Sequence, residues 1–435
     1  MQTSKLSPSS LVAVSTCNAN GCSKRSLTAT PVKTAATKLS LSSRSSQRVK
    51  GTGILAQSKK QQTIDRGVVV CNAIAGPTAC HNGAHLSDEM KAELERVAAL
   101  IGTPGKGITA CDEGPGTVGG RFEDVGVENT EENRRKYRQM LFETPGVNEY
   151  LSAAILDPET LYQRSTTDDR LFPEVLDSLN IVPGVKPHLK VYSLPGQSGA
   201  TVMQGLDSLA ARCKEYREAG CRFAKWRSPI EIDLATGQPS DLVIEANMLD
   251  LARYAIICQD EGLVPIVEPD ISLKGTHTLE DAIYINVKVQ SVLYKAMLDH
   301  GVFMEGSILK SNMVNPGKSC PKSYTVEEIA KANVDVLRRC MPAAIRSGNY
   351  LSGGQSLEDA AARLNAINQL GPQPWNLSFS WSAAIQLPML ALCKEKGGLC
   401  LEEMSALYLE ELKIASAAAL GKHTPGPGEG DHKAP

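Results

Sequence analysis

Five short apolar runs in this 435-residue sequence each lead directly into a charged side chain. The five charged residues are Asp112, Lys186, Lys225, Glu268 and Lys310. If the runs are parallel strands, their carboxyl ends meet at one edge of a sheet or barrel. Charged groups gathered there are partly desolvated and strongly coupled, conditions that perturb pKa values. Lysines and carboxylates in such a place can perform nucleophilic and acid–base chemistry.

Lys310 is the candidate nucleophile because it follows the apolar pair at positions 308–309. An amine held there, near a second ammonium such as Lys225, is disfavoured as a cation. We therefore expect enough neutral amine to attack a carbonyl carbon. The structural alternative is a lysine that extends from a strand end into solvent or pairs with Glu305.

Glu268 and Asp112 are the candidate proton-transfer groups. Glu268 suits a general acid or base that moves protons while a carbinolamine loses water. A compatible structural role for Glu268 is an ion pair with Lys225 or Arg227. Asp112 is a candidate base for a substrate hydroxyl proton, and its structural alternatives are an acid at a helix start or an ion pair in the barrel floor.

A glycine pair at Gly353 and Gly354 follows Ser352 and precedes a predicted helix. Paired glycines before a helix let backbone N–H groups approach an anion, and the helix N-terminus favours negative charge. The run therefore indicates a phosphate site, although short glycine-rich turns are also common as plain connections. The seven histidines are scattered, without the spacing of metal ligands, so we expect neither a metal nor another cofactor.

Alternation of short apolar runs with longer helical stretches organises residues 88–421. Thr130 and Thr325, each followed by acidic residues, are predicted helix starts. The predicted strands cover 107–110, 153–156, 182–185, 223–226, 265–267, 307–309, 350–351 and 377–379. Eight such units predict an α/β fold, a single (β/α)8 TIM barrel. The alternative is a doubly wound open sheet, but no G-x-G-x-x-G follows the first strand.

The two ends of the chain differ from the barrel in composition. Residues 1–64 hold ten Lys or Arg and no acid, and are rich in Ser and Thr. This composition indicates a disordered transit peptide over 1–71, followed by a leader over 72–87. The Ser and Thr content favours the chloroplast over the mitochondrion, and a disordered regulatory tail is the alternative. Residues 422–435, rich in Gly, Pro and charge, predict a short flexible tail.

Charge and hydropathy exclude two classes of partner. Beyond residue 64 the chain carries 36 basic and 48 acidic side chains. An acidic body of this kind argues against non-specific binding to nucleic acid or to an anionic membrane surface. No stretch of about 18 apolar residues is present, so no membrane-spanning helix is expected.

Several long motifs, in the same order along the chain, resemble class I fructose-bisphosphate aldolase of the plastid type. The motifs occupy 128–134, 223–227, 264–270, 305–310, 351–356 and 364–368. The resemblance extends from about residue 88 to 424. It implies a metal-independent lyase that acts on a small sugar-phosphate substrate and assembles as a homo-oligomer, a tetramer in many members of the family.

The resemblance also implies roles for ten residues. Lys310 would form the Schiff base, Glu268 would be its acid and base, and Asp112 would act on the C4 hydroxyl. Lys225 would lie beside the imine. The implied substrate-binding residues are Arg227, Lys186, Arg121, Ser352, Gly353 and Ser380, with Ser352 and Gly353 holding the C1 phosphate.

The sequence departs from this family at several positions near the substrate. Ala383 stands where an arginine is usual, which removes a bidentate phosphate donor. Gly114 replaces a serine, although Thr117 follows, and Gly120 replaces a basic residue. The segment 187–189 reads Pro-His-Leu instead of Val-Asp-Lys, and the usual terminal tyrosine is missing from the tail.

These departures leave three hypotheses for the function. The first is a plastid aldolase of glycolysis and the Calvin cycle with weakened phosphate binding. The second is a binding or regulatory protein on an aldolase scaffold with little catalysis. The third is a Schiff-base aldolase for another sugar phosphate or an unphosphorylated ketose.

Overall fold

A computed structural model describes residues 82–435, which form ten strands and twelve α-helices. The strands are β1 (Gly107–Cys111), β2 (Leu151–Leu156), β3 (Val182–Val185), β4 (Lys190–Ser193), β5 (Thr201–Gln204), β6 (Phe223–Ile230), β7 (Val264–Ile271), β8 (Ile308–Ser311), β9 (Ser347–Tyr350) and β10 (Asn376–Trp381). The helices are α1 (Asp88–Ile101), α2 (Pro115–Glu123), α3 (Glu131–Glu143), α4 (Pro158–Leu161), α5 (Phe172–Ser178), α6 (Leu209–Glu218), α7 (Asp241–Asp260), α8 (Leu279–Asp299), α9 (Val326–Cys340), α10 (Leu357–Gln369), α11 (Ala383–Ala391) and α12 (Leu401–Ala419).

Eight of the strands close into a parallel barrel in the order β1-β10-β9-β8-β7-β6-β3-β2. The closed order confirms the predicted (β/α)8 barrel and rules out the open sheet. Each predicted strand overlaps an observed one, but the strand predicted at 350–351 shares only Tyr350 with β9. Strands β6 and β7 run to Ile230 and Ile271, beyond their predicted ends at 226 and 267. The antiparallel hairpin β4–β5 was not predicted, because its first strand is exposed along its length and buries no alternating apolar face.

Threonine hydroxyls cap the two helices whose starts the sequence predicts, α3 and α9. Thr130 Oγ accepts a hydrogen bond from the Asn133 backbone N–H at 3.1 Å. At α9 the Thr325 hydroxyl accepts from the Glu328 N–H, and the Glu328 carboxylate accepts from the Thr325 N–H at 2.8 Å. These reciprocal bonds satisfy donors that a helix start leaves free, so both predicted helix starts are confirmed.

The barrel interior is apolar at its amino-terminal end. Its buried strand residues are Ile108, Ala110, Ala153, Ile155, Val182, Phe223, Val264, Ile266 and Ile308. Helix α1 packs Leu94, Val97 and Ile101 against this cluster and covers that end of the barrel. Because side chains alternate along a strand, positions two residues further on lie on the same inward face. Those positions carry charge: Asp112, Asp157, Lys225, Glu268 and Lys310.

The carboxyl-terminal segment is not the flexible tail that its composition predicts. The buried Arg363 donates to the backbone oxygens of Gly430 and Asp431 at 2.7 and 3.1 Å. Tyr324 and His432 exchange two backbone hydrogen bonds. A buried guanidinium needs acceptors, and the tail carbonyls supply them. The disorder prediction for 422–435 is therefore wrong.

The amino-terminal predictions fall mostly on residues that lie outside the described range. The predicted transit peptide (1–71) and the first part of the leader (72–81) belong to that part of the chain. The rest of the leader docks on the barrel, where the Met304 N–H donates to Asn82 Oδ1 at 2.8 Å. Within residues 82–435, no helix combines the length and the apolar character needed to cross a membrane.

Candidate active site

A cavity of about 430 Å³ opens at the carboxyl-terminal end of the barrel. All ten residues that the sequence singled out line it: Asp112, Arg121, Lys186, Lys225, Arg227, Glu268, Lys310, Ser352, Gly353 and Ser380. Seven different barrel strands or the loops after them supply these side chains, with Arg121 added from α2. The tertiary structure therefore brings together residues that lie up to 268 positions apart in the chain, as Asp112 and Ser380 do.

Glu268 bridges two buried lysines at the centre of the cavity. Lys225 Nζ lies 2.8 Å from Glu268 Oε2, and Lys310 Nζ lies 3.3 Å from Glu268 Oε1. Lys225 also lies 2.7 Å from Asp112 Oδ2, which extends the chain of charges. The alternative pairing of Lys310 with Glu305 is absent, since Glu305 instead accepts from Asn82 Nδ2 at 2.8 Å.

These four groups are at most 8 % exposed, so burial and charge compete in setting their ionisation. Burial opposes ionisation of Asp112, but the ammonium groups of Lys225, Lys310 and Lys186 outweigh it and lower the pKa of Asp112. Burial likewise opposes ionisation of Glu268, and Lys225 and Lys310 lower its pKa. Burial opposes the charge on Lys225, but the two carboxylates raise its pKa. Asp112 and Glu268 are therefore carboxylates at neutral pH, and Lys225 is an ammonium.

The outer cations of the cavity are also paired with carboxylates. Arg227 Nε donates to Asp270 Oδ2 at 2.6 Å, and Lys186 Nζ donates to Asp157 Oδ2 at 2.8 Å. Lys186 also donates to the backbone oxygen of Asp112 at 2.6 Å. That bond ties the end of β3 to the end of β1.

The glycine pair after β9 forms a tight turn beside the cavity. Gly353 and Gly354 have φ angles of +60° and +77°, which side chains with a Cβ rarely adopt. Ser356 then caps α10 by accepting from the Asp359 N–H at 3.1 Å. Across the cavity, the buried Ser380 hydroxyl has no hydrogen-bond partner among the described residues. The Ser380 hydroxyl is therefore free for a ligand, and a glycine turn of this kind lets backbone N–H groups approach an anion.

One side of the cavity is closed by a cluster around Arg121. Its guanidinium donates to Glu113 Oε1 at 2.9 Å, to Gln386 Oε1 at 2.9 Å and to Ser382 Oγ at 3.2 Å. Ser382 in turn donates to the Glu113 carboxylate. Arg121 is therefore already neutralised, and the neighbouring lining residue Ala383 adds no charge.

Sequence reasoning did not assign the lining residues Glu113, His188, Asp270 and Ser382 to the site, nor Asp157, the partner of Lys186. Asp157 follows β2 directly, the same strand-end signal that identified Lys186. Asp270 lies two positions after Glu268, so alternation along β7 would have placed both on one face. Glu113 and His188 have no comparable pattern in the sequence, because their place depends on how the loops fold over the strand ends.

Lys310 is a buried lysine at the carboxyl-terminal mouth of a (β/α)8 barrel, and it contacts a carboxylate that a second lysine shares. This is the arrangement of an enzyme that forms a Schiff base with a carbonyl substrate. The family profile described as fructose-bisphosphate aldolase class-I matches residues 93–434. The chain therefore belongs to the class I fructose-bisphosphate aldolase family. Its activity is the reversible cleavage of fructose 1,6-bisphosphate to dihydroxyacetone phosphate and glyceraldehyde 3-phosphate, carried out by a metal-independent lyase.

Individual relatives agree with the family assignment. A fructose-bisphosphate aldolase of Dictyostelium discoideum is 47 % identical over 333 residues, covering 76 % of this chain and 93 % of the relative. Fructose-bisphosphate aldolase 4, cytosolic, of Arabidopsis thaliana is 47 % identical over 332 residues, covering 76 % of this chain and 83 % of the relative. The aldolase of Plasmodium falciparum, solved in complex with TRAP and a small-molecule inhibitor, superposes with a TM-score of 0.76 at 41 % identity, covering 78 % of this chain and 98 % of that one.

Replacing Lys225 by methionine should destabilise the protein strongly at neutral pH. The change leaves Asp112 and Glu268 as buried carboxylates without their shared cation, which costs about 3–5 kcal/mol for an unpaired buried charge. In wild type both folded pKa values lie below their ordinary values of 3.8 and 4.5, so this stability is present above those values and lost as the pH falls through the folded pKa. Urea unfolding at pH 7 and pH 5 measures the difference.

In Lys225→Met the two carboxyl pKa values rise, so the folded variant binds protons more readily than folded wild type does. Its deficit relative to wild type should therefore be smaller at pH 5 than at pH 7. Lys331→Met is the matched control, because Lys331 pairs with Asp335 on the surface with 72 % of its side chain exposed. A control with the same loss, or a deficit independent of pH, would contradict the electrostatic account.

Proposed function

We propose that this chain acts as an aldolase through a Schiff base on Lys310, in a plastid, with a weakened hold on substrate phosphates. The observation that supports the proposed Schiff-base chemistry is the chain of ion pairs from Lys310 through Glu268 and Lys225 to Asp112. It places a nucleophilic amine, a proton acceptor and a fixed cation within one buried site.

Glu268 activates Lys310 by accepting its proton. A carboxylate 3.3 Å from the ammonium can take up that proton, which leaves a neutral amine to attack the C2 carbonyl of the ketose. The carbinolamine oxygen then receives the proton from Glu268 and leaves as water, and the C=N⁺ bond forms. Lys225 keeps its positive charge throughout. Its ammonium group favours the carboxylate form of Glu268, so Glu268 is ionised again once it has given up the proton.

Asp112 acts on the second half of the reaction. As a carboxylate it accepts the C4 hydroxyl proton, the C3–C4 bond breaks, and its electron pair moves into the iminium group to form an enamine. The aldehyde leaves first. Protonation of the enamine at C3 and hydrolysis of the imine then release dihydroxyacetone phosphate and restore the Lys310 amine.

Phosphate binding is the part of the site that we propose to be weakened. The backbone of Ser352 and Gly353, with the N-terminus of α10 behind it, would hold the C1 phosphate. Arg227, Lys186 and Arg121 line the cavity, but each already has a carboxylate partner. A missing guanidinium at Ala383 costs roughly 1.5–3 kcal/mol, about ten- to a hundredfold in binding.

The same observations support a second candidate substrate class. Five cations and four carboxylates line the cavity, so the net charge facing a bisphosphate is small. A ketose with one phosphate or none needs fewer cations than a bisphosphate. The binding or regulatory role without catalysis has less support, since Lys310, Glu268, Lys225 and Asp112 are all present and in contact.

Localisation and assembly are proposed from other features. The family match begins at residue 93, so the acid-free segment 1–64 lies outside it. A segment of that composition is typical of a transit peptide, and we propose import into the plastid stroma, where the reaction would also serve the Calvin cycle. A homo-tetramer is proposed from the resemblance to the plastid-type family.

Borohydride trapping with dihydroxyacetone phosphate should attach a reduced adduct to Lys310 in the wild-type enzyme. Lys310→Met should give no adduct and lower kcat by roughly a thousandfold or more, because the nucleophile is gone. Peptide mass mapping locates the adduct, and Lys331→Met, with an exposed lysine removed, should trap like wild type. An adduct on a different lysine, or none on the wild type, would contradict the proposed role.

Ala383→Arg should lower the KM for fructose 1,6-bisphosphate by about ten- to a hundredfold, since it supplies a bidentate donor at the cavity wall. Ala383→Met is the matched control, with comparable reach but no charge, and should leave KM near that of wild type. Steady-state kinetics of the three proteins provides the measurement. Wild-type kinetics ordinary for the family would show that phosphate binding is not impaired.

A fluorescent protein fused after residue 87 should enter the chloroplast stroma when expressed in a plant cell. Replacing the ten basic residues of segment 1–64 by glutamine should leave the fusion in the cytosol, since the positive, acid-free character is what import requires. Confocal imaging, with chlorophyll fluorescence marking the chloroplasts, distinguishes a stromal fusion protein from a cytosolic one. Uptake into mitochondria, or no import of the native segment, would refute the proposal.

A further inference from the structure

His188 lines the cavity but has no part in the proton transfers described above. It follows β3 and the lining residue Lys186, directly before the exposed β4–β5 hairpin. The imidazole packs edge-to-face on the buried Trp226, with ring centroids 5.8 Å apart at an interplanar angle of 74°. This packing holds the ring in one place at the cavity wall.

The backbone determines which nitrogen of His188 carries the proton. The Arg227 N–H donates to His188 Nδ1 at 3.4 Å, so Nδ1 is the acceptor and the hydrogen of the neutral ring resides on Nε2. Nε2 makes no hydrogen bond to another residue of the described chain. Burial, reinforced by the nearby cations of Lys225, Lys186 and Arg227 against the carboxylate of Asp112, holds the pKa of His188 well below 6.5. The ring is therefore a neutral donor.

The order of strands around the barrel tells which part of the substrate meets His188. Lys310 lies on β8, with β9 and its phosphate-binding turn on one side and β7, β6 and β3 in succession on the other. If C2 is bound to Lys310 and the C1 phosphate lies at Ser352 and Gly353, the remaining carbons extend toward β6 and β3. His188 thus faces the half of the sugar that leaves as the aldehyde.

We propose that His188 is a specificity-determining residue that donates a hydrogen bond from Nε2 to the C5 hydroxyl in the aldehyde half of the substrate. The inference rests on the proposed Schiff base at Lys310. An uncharged donor suits an uncharged oxygen, whereas a bare phosphate would favour a cation at this place. His188 would therefore make the enzyme select hydroxylated aldehydes in the condensation direction.

The test compares condensation of dihydroxyacetone phosphate with D-glyceraldehyde and with propanal, which lacks both hydroxyls. His188→Asn keeps an oxygen where Nδ1 lies but is too short to replace Nε2, and it should lose about tenfold in kcat/KM for D-glyceraldehyde. For propanal it should stay within about twofold of wild type. His188→Gln, whose amide N–H reaches the Nε2 position, should stay within about threefold of wild type with both aldehydes.

The ratio of the two kcat/KM values within one variant does not depend on how much of the protein is folded. A ratio in His188→Asn equal to that of wild type would overturn the proposal. If both kcat/KM values fell by the same factor, the role of His188 would be merely structural. Borohydride trapping with dihydroxyacetone phosphate alone should be normal in both variants. Failure to trap in wild type would instead count against the Schiff base itself, so the two failures are distinguishable.

Discussion

The shared carboxylate of Glu268 is the interaction on which the rest of the site depends. Its two oxygens face Lys225 and Lys310, so it is the carboxylate partner of the buried Lys310 and shares Lys225 with Asp112. Lys225 and Asp112 extend the same balance of charge to the next strands. Removing Lys225 leaves two buried carboxylates without their shared cation, and removing Glu268 leaves Lys310 without its carboxylate partner. The arrangement therefore couples the stability of the barrel end to the ionisation states that the chemistry needs.

The pairing of these buried lysines and carboxylates requires a closed barrel. Strands of a parallel barrel all end at the same mouth, and alternation along each strand sets an apolar layer below a charged one. Ile266 lies in the lower layer and Glu268 in the upper one, and Ile308 stands in the same relation to Lys310. The apolar layer excludes water from beneath the site, so that each ion pair acts at low dielectric.

Pairing of nearly every cation also shapes recognition. Arg121, Lys186 and Arg227 are held in position by carboxylates, which makes the cavity wall rigid but reduces the net charge offered to phosphate. Hydrogen bonds from uncharged donors therefore contribute more to substrate recognition at such a wall. The Ser380 hydroxyl, the glycine turn after β9 and the His188 imidazole are suited to recognise oxygens of the sugar more than its charge.

The sequence by itself indicated the eight barrel strands, the hydroxyl caps of α3 and α9 and all ten lining residues. The strands, the caps and the charged strand ends follow from local rules, because alternation and strand ends are visible along the chain. The choice of Arg121, Arg227 and Ser380 rests instead on the resemblance to the family. It left open whether Glu268 pairs with Lys225 or Arg227, and it did not reveal that Glu268 also contacts Lys310. Nor did it reveal the places of Asp157, Glu113 and His188, or that the tail binds Arg363. Those contacts join residues far apart in the chain, some in loops without periodicity, and only the closing of the barrel brings their atoms within hydrogen-bonding distance.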